Sequence, residues 1–146
     1  MKINAAALIV IISSLIAASS MAYADAPSIN AMLAKADIVA GEKTAHNCQM
    51  CHSFGKGEPN KTGPNLWDII GSNHARLDNY NYSSSMKALH DTKWTYDTLN
   101  QFLYSPQSAI AGTKMAYPGI KDTNDRANLI AYLRTLSDSP LPLPGK

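Results

Sequence analysis

The sequence predicts a small all-α domain. Three observations support this prediction: apolar residues recur at helical spacing in two segments, no segment alternates apolar and polar residues for long enough to form a strand, and glycine and proline separate the helical segments. The 146 residues, 45% hydrophobic and 16% charged, suffice for one domain with a core and are too few for a large enzyme fold. Because the 13 basic and 11 acidic residues form no basic stripe, nucleic acid is not expected as a partner.

The first 24 residues have the features of an export signal. No charged residue occurs between Lys2 and Asp25, and the apolar run ends in the small-x-small pattern Ala22-Tyr23-Ala24, which is typical of a signal-peptidase site. We therefore predict that residues 1–24 are a signal peptide and that the rest is exported to the periplasm. Residues 3–24 are also long enough to cross a bilayer, which takes about 20 residues. An uncleaved anchor on the periplasmic face of the inner membrane is therefore the alternative.

The segment between this signal and the first motif is predicted to be partly helical. Residues 25–36 are expected to be a linker with a short helix over 31–36, and in an anchored protein this linker would be a tether. Asp37 has the side chain of an N-cap and predicts a second helix from Ile38 to about residue 51. A loop rich in glycine, proline, asparagine and lysine follows over residues 55–65.

The second half of the chain is predicted to contain two longer helices after a short apolar turn over residues 66–70. Thr95 can cap the first of these helices, which Pro106 stops, and Thr123 can cap the second. The side chains expected to be buried on them are Leu99, Phe102, Leu103, Leu129, Ile130, Tyr132, Leu133 and Leu136. Prolines make residues 139–146 an extended tail that is expected to add nothing to the core.

Both cysteines of the chain lie in one motif, Cys48-Gln49-Met50-Cys51-His52. In an exported chain, two cysteines separated by two residues and followed by histidine are the attachment signature of c-type haem. Thiols at this spacing reach the two vinyl groups of a porphyrin, and the adjacent imidazole is then held under the iron. The motif therefore predicts one covalently attached haem c with its iron.

Three other roles are open to the same residues. A thioredoxin-like redox pair would need a βαβ pattern, which is not visible around the motif. A zinc site would need a fourth ligand, and His46, His74 and His90 show no paired spacing. A structural disulfide across two residues would be strained. Haem attachment is the favoured interpretation.

The ligand on the other side of the iron decides between electron transfer and ligand chemistry. The candidates in the exported part are Met32, Met50, Met86, Met115, His46, His74 and His90. His46 and Met50 lie too close to the attachment motif to reach the opposite face. Met86 lies in a helical pattern and is expected in the core. Met115 lies in a loop with glycine and proline over residues 111–119, where it could be a ligand or a packing residue.

Eight short segments follow one another along the chain: Gly41-Glu42-Lys43, Cys48-x-x-Cys51-His52, residues 61–66, Tyr80-x-Tyr82-Ser83, Lys93-Trp94-Thr95, residues 112–115, Gly119-Ile120 and residues 128–133. With them, residues 37–136 resemble a class I cytochrome c of the mitochondrial type and its soluble or membrane-anchored bacterial relatives. The resemblance implies the cytochrome c fold, a small helical domain wrapped around one haem, over residues 37–138. It also implies a monomer that is an electron-transfer protein and not an enzyme.

The same resemblance implies a set of iron and haem ligands. Cys48 and Cys51 would carry the thioether bonds, His52 would be the proximal iron ligand, and Met115 would be the distal one. The carbonyl of Pro64 would accept a hydrogen bond from the proximal imidazole, which fixes the ring.

Three further residues are implied to bind the cofactor. Tyr82 and Trp94 match positions that hydrogen-bond a haem propionate, and Thr113 matches a position of the distal loop. The implied function is single-electron transport in a respiratory chain, from a quinol-oxidising cytochrome complex to a terminal oxidase. The alternative is a peroxidase-like or ligand-binding c-type cytochrome, which would need an open distal position.

Some residues depart from the family pattern inside the domain. Ala45 replaces an aromatic residue between the first and last helices, a contact that residues 29–33 could supply. Ser72 stands where an arginine often supports a propionate. Phe102 replaces a tyrosine whose hydroxyl neighbours the distal methionine. These departures leave the expected fold unchanged and bear on the reduction potential.

Other departures affect the surface near the haem edge. Asn47 and Gln107 replace two common lysines, while Lys61, Lys114 and Lys121 remain as candidates for steering acidic redox partners. Because two positive charges are missing, docking is expected to depend less on salt than in a strongly basic cytochrome c.

Overall fold

The computed structural model describes residue 26 and residues 28–144, so the predicted signal peptide lies outside the described residues. Its helices are α1 (Asn30–Leu33), α2 (Ile38–Gln49), α3 (Ser84–Lys87), α4 (Tyr96–Tyr104), α5 (Pro106–Ala109) and α6 (Thr123–Thr135). Over the same residues, extended pairing is limited to an isolated bridge between Asn73 and Lys93. The predicted all-α class is confirmed. None of the helices in this part of the chain has the length and apolar content needed to cross a membrane.

The helices α2 and α6 cross at close range. Asp37 caps α2 as predicted, since its carboxylate accepts hydrogen bonds from the N–H groups of Val39 and Ala40. At Gly41, an added Cβ would lie 2.0 Å from the carbonyl oxygen of Asn128 on α6. A side chain at this position would therefore push the two helices apart, and glycine permits the contact.

The helix α4 begins at its predicted cap. The hydroxyl of Thr95 accepts a hydrogen bond from the N–H of Thr98, and the Thr98 hydroxyl accepts one from the N–H of Thr95, which makes a reciprocal capping box. Pro106 follows the end of α4 and starts α5, because proline lacks an N–H and suits the first position of a helix.

The predicted cap of α6 is wrong by one residue. Asp122 caps the helix by accepting a hydrogen bond from the N–H of Asp125, and Thr123 is the first helical residue. A carboxylate is favoured here because it also interacts with the positive end of the helix dipole. The buried guanidinium of Arg126 reinforces this turn by donating to the carbonyls of residues 120–122.

The segment before α2 is docked on the domain. The helix α1 is shorter than predicted and ends at Leu33. Ile29 and Leu33 are buried in the same core cluster as Ala45, which agrees with the expectation that this segment supplies the missing aromatic contact. The Gln101 side chain holds Ala26 by both backbone groups: it accepts from the N–H at 2.7 Å and donates to the carbonyl at 3.1 Å. The segment is therefore part of the fold and not a free tether.

The tail contributes to the core, contrary to prediction. Leu143 packs partly buried against the core cluster. The Leu141 carbonyl accepts hydrogen bonds from the Tyr96 hydroxyl at 2.8 Å and from the Arg134 Nε at 2.6 Å. The prolines prevent a helix but leave the carbonyls free to accept, so an extended tail can still be fixed.

The core otherwise follows the predicted helical faces. Six of the eight side chains expected to be buried on α4 and α6 are buried, and Tyr132 and Leu136 pack partly buried against the others. Met86 of α3 is buried as predicted. The helices thus form the core of the domain, and the loops between them line one cleft.

Candidate functional site

A cleft of about 300 Å³ lies between the end of α2, the loop from α2 to α3, the helix α4 and the loop from α5 to α6. All eight predicted site residues line it: Cys48, Cys51, His52, Pro64, Tyr82, Trp94, Thr113 and Met115. Its apolar wall is made by Leu66, Ile69, Met86, Leu99, Phe102, Leu103 and Leu133. The fold therefore brings residues that are distant in sequence to one apolar cavity.

The two thiols sit at the end of α2. Cys48 lies in the last turn of the helix and Cys51 just beyond it, and both are free, so the structural-disulfide interpretation does not describe this fold. The N–H groups of Cys51 and His52 both donate to the Cys48 carbonyl, at 3.0 and 2.9 Å, which fixes the spacing of the motif. Burial raises the pKa of the Cys48 thiol, and the nearby Cys51 raises it further.

The histidines considered for zinc lie away from the cleft lining. His46 and His90 are exposed. His74 is buried and stacks on Trp94 with the ring centroids 3.8 Å apart. Within the described residues, no group of three or more His, Cys, Asp or Glu is placed to hold a metal ion.

The imidazole of His52 is oriented by the main chain. Its Nδ1 lies 2.6 Å from the Pro64 carbonyl oxygen, and because a carbonyl can only accept, Nδ1 is the donor. In the neutral ring, Nε2 then keeps its lone pair. Burial is the main cause that lowers the pKa of His52, Lys61 lowers it further, and the Pro64 hydrogen bond opposes them. At Gly63, an added Cβ would lie 2.4 Å from the His52 ring, so glycine leaves the imidazole its space.

A side chain that the sequence analysis did not single out holds the loop after the motif. The buried Asn65 amide donates to the Ser53 hydroxyl at 2.9 Å and to the carbonyls of Gly55 and Glu58 at 2.9 and 3.2 Å. Its own oxygen accepts from the N–H of Trp67 at 2.8 Å. Its sequence signals were its place directly after Pro64 and its inclusion in residues 61–66, a segment that resembles the family, and neither indicated these hydrogen bonds.

The loop that carries Met115 is held by side-chain hydrogen bonds. The Thr113 hydroxyl accepts from the N–H of Met115 at 3.4 Å. The Gln107 amide donates to the carbonyls of Thr113 and Met115, at 3.0 and 3.4 Å. From the same loop, the Lys114 ammonium donates to the Asn81 carbonyl at 2.8 Å. Gln107, which the sequence analysis treated only as a lost charge, therefore positions this loop.

Two thioethers face the same cavity. Met115 is partly buried and packs against the core cluster, whereas Met86 is buried in it, and both line the cleft. Met115 sits in a loop with its own hydrogen bonds, whereas Met86 sits on the short helix α3 capped by Ser83. Met86 is thus buried as predicted, and the assignment of Met115 as the iron ligand stays a prediction.

Aromatic rings enclose another part of the cleft. Trp94 is buried between His74 and Phe102, with the Phe102 ring centroid 5.1 Å away. Tyr82 stacks edge-on against Tyr80 at 4.7 Å. Burial is the main cause that raises the pKa of Tyr82. The phenol therefore stays protonated near neutral pH, and its O–H is available as a hydrogen-bond donor.

The three candidate docking lysines are exposed, and each side chain is held by a hydrogen bond to a main-chain carbonyl. Lys61 donates to the Gln49 carbonyl at the end of α2, at 2.8 Å, and Lys114 donates to Asn81 as described above. The Lys121 ammonium donates to the Tyr104 carbonyl at 2.5 Å, and its Nζ lies 4.1 Å from the centroid of the Tyr104 ring. Each positive charge is therefore fixed in place on the surface.

These features fit a porphyrin bound through two thioethers. Two free thiols at a fixed spacing, an imidazole with an available Nε2, a thioether and an apolar wall meet in one cavity. This combination is that of a small helical protein built around an attached haem.

Comparison with known proteins gives the family. A family model described as Cytochrome c matches residues 38–137, which is more than half of the sequence, and the chain belongs to this family. The chain is 41% identical over 124 residues to a cytochrome c homolog of Bradyrhizobium diazoefficiens, an alignment that covers 84% of this chain and 67% of that protein. It is 38% identical over 122 residues to cytochrome c-554 of Methylosinus trichosporium, covering 84% of this chain and 90% of that one.

A solved structure is similar as well. Cytochrome cH from Methylobacterium extorquens superposes with a TM-score of 0.63 at 37% sequence identity, over 68% of this chain and 98% of that chain. The predicted class I c-type cytochrome, its fold and its covalently attached haem c are confirmed. The protein is an electron carrier of this family.

Proposed function

We propose that Cys48 and Cys51 form the thioether bonds to haem c and that His52 and Met115 are the two axial ligands of its iron. One observation carries this assignment: the attachment motif at the end of α2 and the distant Met115 loop line the same cleft. A free Nε2 on His52 and a thioether sulfur are both suitable iron ligands.

Four other residues are proposed to hold the cofactor. Pro64 fixes the His52 ring through its carbonyl and thereby its orientation toward iron. Thr113 stabilises the Met115 loop through its hydroxyl. Tyr82 and Trp94 line the cleft with a phenol O–H and an indole N–H, which can donate to a propionate.

Bound haem supplies a one-electron couple between ferric and ferrous iron. The residues around the haem would set the reduction potential of this couple. The apolar wall around Leu99 and Phe102 disfavours the extra positive charge of the ferric state, and a thioether ligand favours the ferrous state, so both raise the potential. Ligands that are fixed in both oxidation states keep the rearrangement on electron transfer small.

The proposed task is to carry single electrons in a respiratory chain, from a quinol-oxidising cytochrome complex to a terminal oxidase. The support is the family resemblance over residues 37–136 and the fixed positive charges of Lys61 and Lys114 beside the cleft. Fixed charges steer an encounter without first having to be ordered.

The proposed location is the periplasm. The support is the signal-like composition of residues 1–24, with cleavage after Ala24. Anchoring by an uncleaved segment is the alternative. Intact mass of the exported protein tests this directly: a detergent-released species that retains Met1 would contradict cleavage.

Reconstitution tests the proposed task. Host membranes stripped of their own c-type cytochromes should regain quinol-dependent oxygen uptake when the haem-loaded protein is added. Omission of the protein and inhibition of the oxidase are the controls. Protein that is fully reducible by ascorbate but restores no oxygen uptake would contradict the respiratory assignment and leave the family assignment intact.

A further inference from the structure

A cation in the wall of the cleft has an unsatisfied donor. Arg76 lines the cleft and lies close enough to Tyr82 to lower the pKa of that phenol, against the larger effect of burial. Its Nη2 donates to the carbonyls of Asn65 and Trp67, at 3.1 and 2.5 Å, and these two bonds hold the guanidinium in place. Its Nε is shielded from solvent and has no hydrogen-bond partner among the described residues.

No carboxylate in the described part of the chain pairs with this cation. Among the described residues, no Asp or Glu lines the cleft. The carboxylates of these residues that contact a basic side chain are Asp138, which pairs with Lys56, and Asp91, which contacts the His90 ring. A shielded N–H without a partner and a charge without a counter-ion both cost free energy. A partner from outside the chain would remove both costs. The haem of this family carries two propionate carboxylates, and a guanidinium pairs with a carboxylate through strong, charge-assisted hydrogen bonds.

We propose that Arg76 binds one haem propionate and keeps it ionised, in place of the arginine that is missing at position 72. Ser72 cannot do this, because its hydroxyl donates to the Ile69 carbonyl at 2.7 Å and the residue does not line the cleft. Arg76 thus sets the charge of one edge of the cofactor. The proposal rests on the haem of the family and not on which partners exchange electrons with it.

Other titratable groups surround this wall. A second groove adjoins the cleft and shares Tyr80 and Tyr82 with it. Apart from the attachment motif, the titratable groups are Tyr80, Tyr82, Tyr117 and Lys114 in the cleft, Asp78, Lys87 and His90 in this adjoining groove, and His74, which stacks on Trp94. Burial raises the pKa of each of the three tyrosines, so they carry no charge near neutral pH. Lys114 already donates to a main-chain carbonyl.

The test is the pH dependence of the reduction potential of the haem-loaded protein. An ionised propionate favours ferric iron, so the potential falls as the pH rises through the propionate pKa. A cation close to a carboxylate lowers the carboxyl pKa by about 1–3 units. In Arg76→Gln, the pH at which the potential falls should therefore move up by that amount. Arg76→Lys, which keeps the charge, should stay close to the wild type.

The matched control is Lys87→Gln, which removes one positive charge from the adjoining groove and should leave the profile unchanged. A profile of Arg76→Gln that overlays the wild type overturns the proposal. So does an equal shift in Arg76→Lys and Arg76→Gln, because the hydrogen bonds to Asn65 and Trp67 would then be the whole role of the side chain.

A second measurement covers the case in which Arg76→Gln fails to mature. Infrared spectra of the wild-type protein with ¹³C-labelled haem propionates report the protonation of each carboxyl. One propionate should stay ionised well below the ordinary carboxyl pKa of about 4. Protonation of both at or above that value overturns the proposal. Neither measurement involves a redox partner, so the respiratory assignment can fail while this inference stands.

Discussion

The two sides of the cleft are built differently. On the attachment side, His52 follows Cys51 directly, the Pro64 carbonyl fixes its ring, and Gly63 leaves the ring its space. On the Met115 side, the loop is held by side chains, above all the amide of Gln107, and by the reach of Lys114 to a carbonyl on a distant loop.

The two sides differ in how close in sequence the residues that build them lie. On the attachment side, the five-residue motif supplies both thiols and the imidazole, and a nearby loop with Gly63 and Pro64 orients the ring. On the other side, the position of Met115 depends on Gln107 and Lys114, which bond to groups outside their own turn. We therefore expect changes on the attachment side to prevent formation of the haem protein. Changes on the Met115 side should alter the properties of a haem that is still attached.

The largest effect is expected at the two thiols. Cys48→Ala and Cys51→Ala should each strongly reduce the yield of haem-loaded protein, because a domain of this size has little core without its cofactor. Haem staining after denaturing electrophoresis measures the yield. Met50→Ala is the matched control inside the motif, since Met50 is 80% exposed and should be dispensable. Release of all haem from the wild type into acidified organic solvent would contradict covalent attachment.

The next largest effect separates the two methionines. Met115→Ala should retain haem, open the iron to cyanide and lower the potential by an amount on the order of 0.1 V, within the range of about 0.8 V that axial ligands span. Met86→Ala should instead destabilise the fold by about 2–5 kcal/mol, the usual cost of truncating a buried methionine. The weak red-region band of methionine-ligated ferric haem distinguishes them. If Met86→Ala abolishes that band and Met115→Ala keeps it, the two assignments are reversed.

A smaller effect is expected at the support of the Met115 loop. Gln107→Ala removes two neutral hydrogen bonds, each worth about 0.5–1.5 kcal/mol. The haem should stay attached, while the red-region band should weaken at a lower temperature than in the wild type. Gln49→Ala is the control, because that side chain is exposed and makes no described hydrogen bond. An unchanged melting of the band in Gln107→Ala would show that the loop does not need this support.

The smallest effect is expected at the docking surface. Lys61→Gln with Lys114→Gln should slow turnover with an oxidase at low ionic strength and leave it unchanged at high ionic strength, because the lysines act through screened charge. Lys35→Gln removes a lysine outside the cleft and should have little influence. Turnover insensitive to the double substitution would count against a docking role for these lysines. Steep salt dependence of the wild type would instead contradict the shallow dependence expected from the loss of lysines at positions 47 and 107.

The sequence predicts the helices and their caps better than the side-chain contacts between distant segments. The helix from Ile38, its cap at Asp37 and the cap at Thr95 could be read from local patterns and are present in the fold. The roles of Asn65, Gln107 and Arg76 could not, because each depends on groups that only the folded chain brings together. The contribution of the tail was missed for the same reason, since an extended proline-rich segment carries no periodic signal.

The hold of Gln101 on Ala26 limits how far the domain could move from a membrane. Were residues 25–36 a free strand, they would span up to about 40 Å when extended. With Ala26 fixed to α4 by both backbone groups, only Asp25 would separate an uncleaved membrane segment from the folded domain. In an anchored form, the domain would then stay at the membrane surface with one face turned to the lipid. Such a domain could exchange electrons only with redox partners that diffuse to it along or near the membrane.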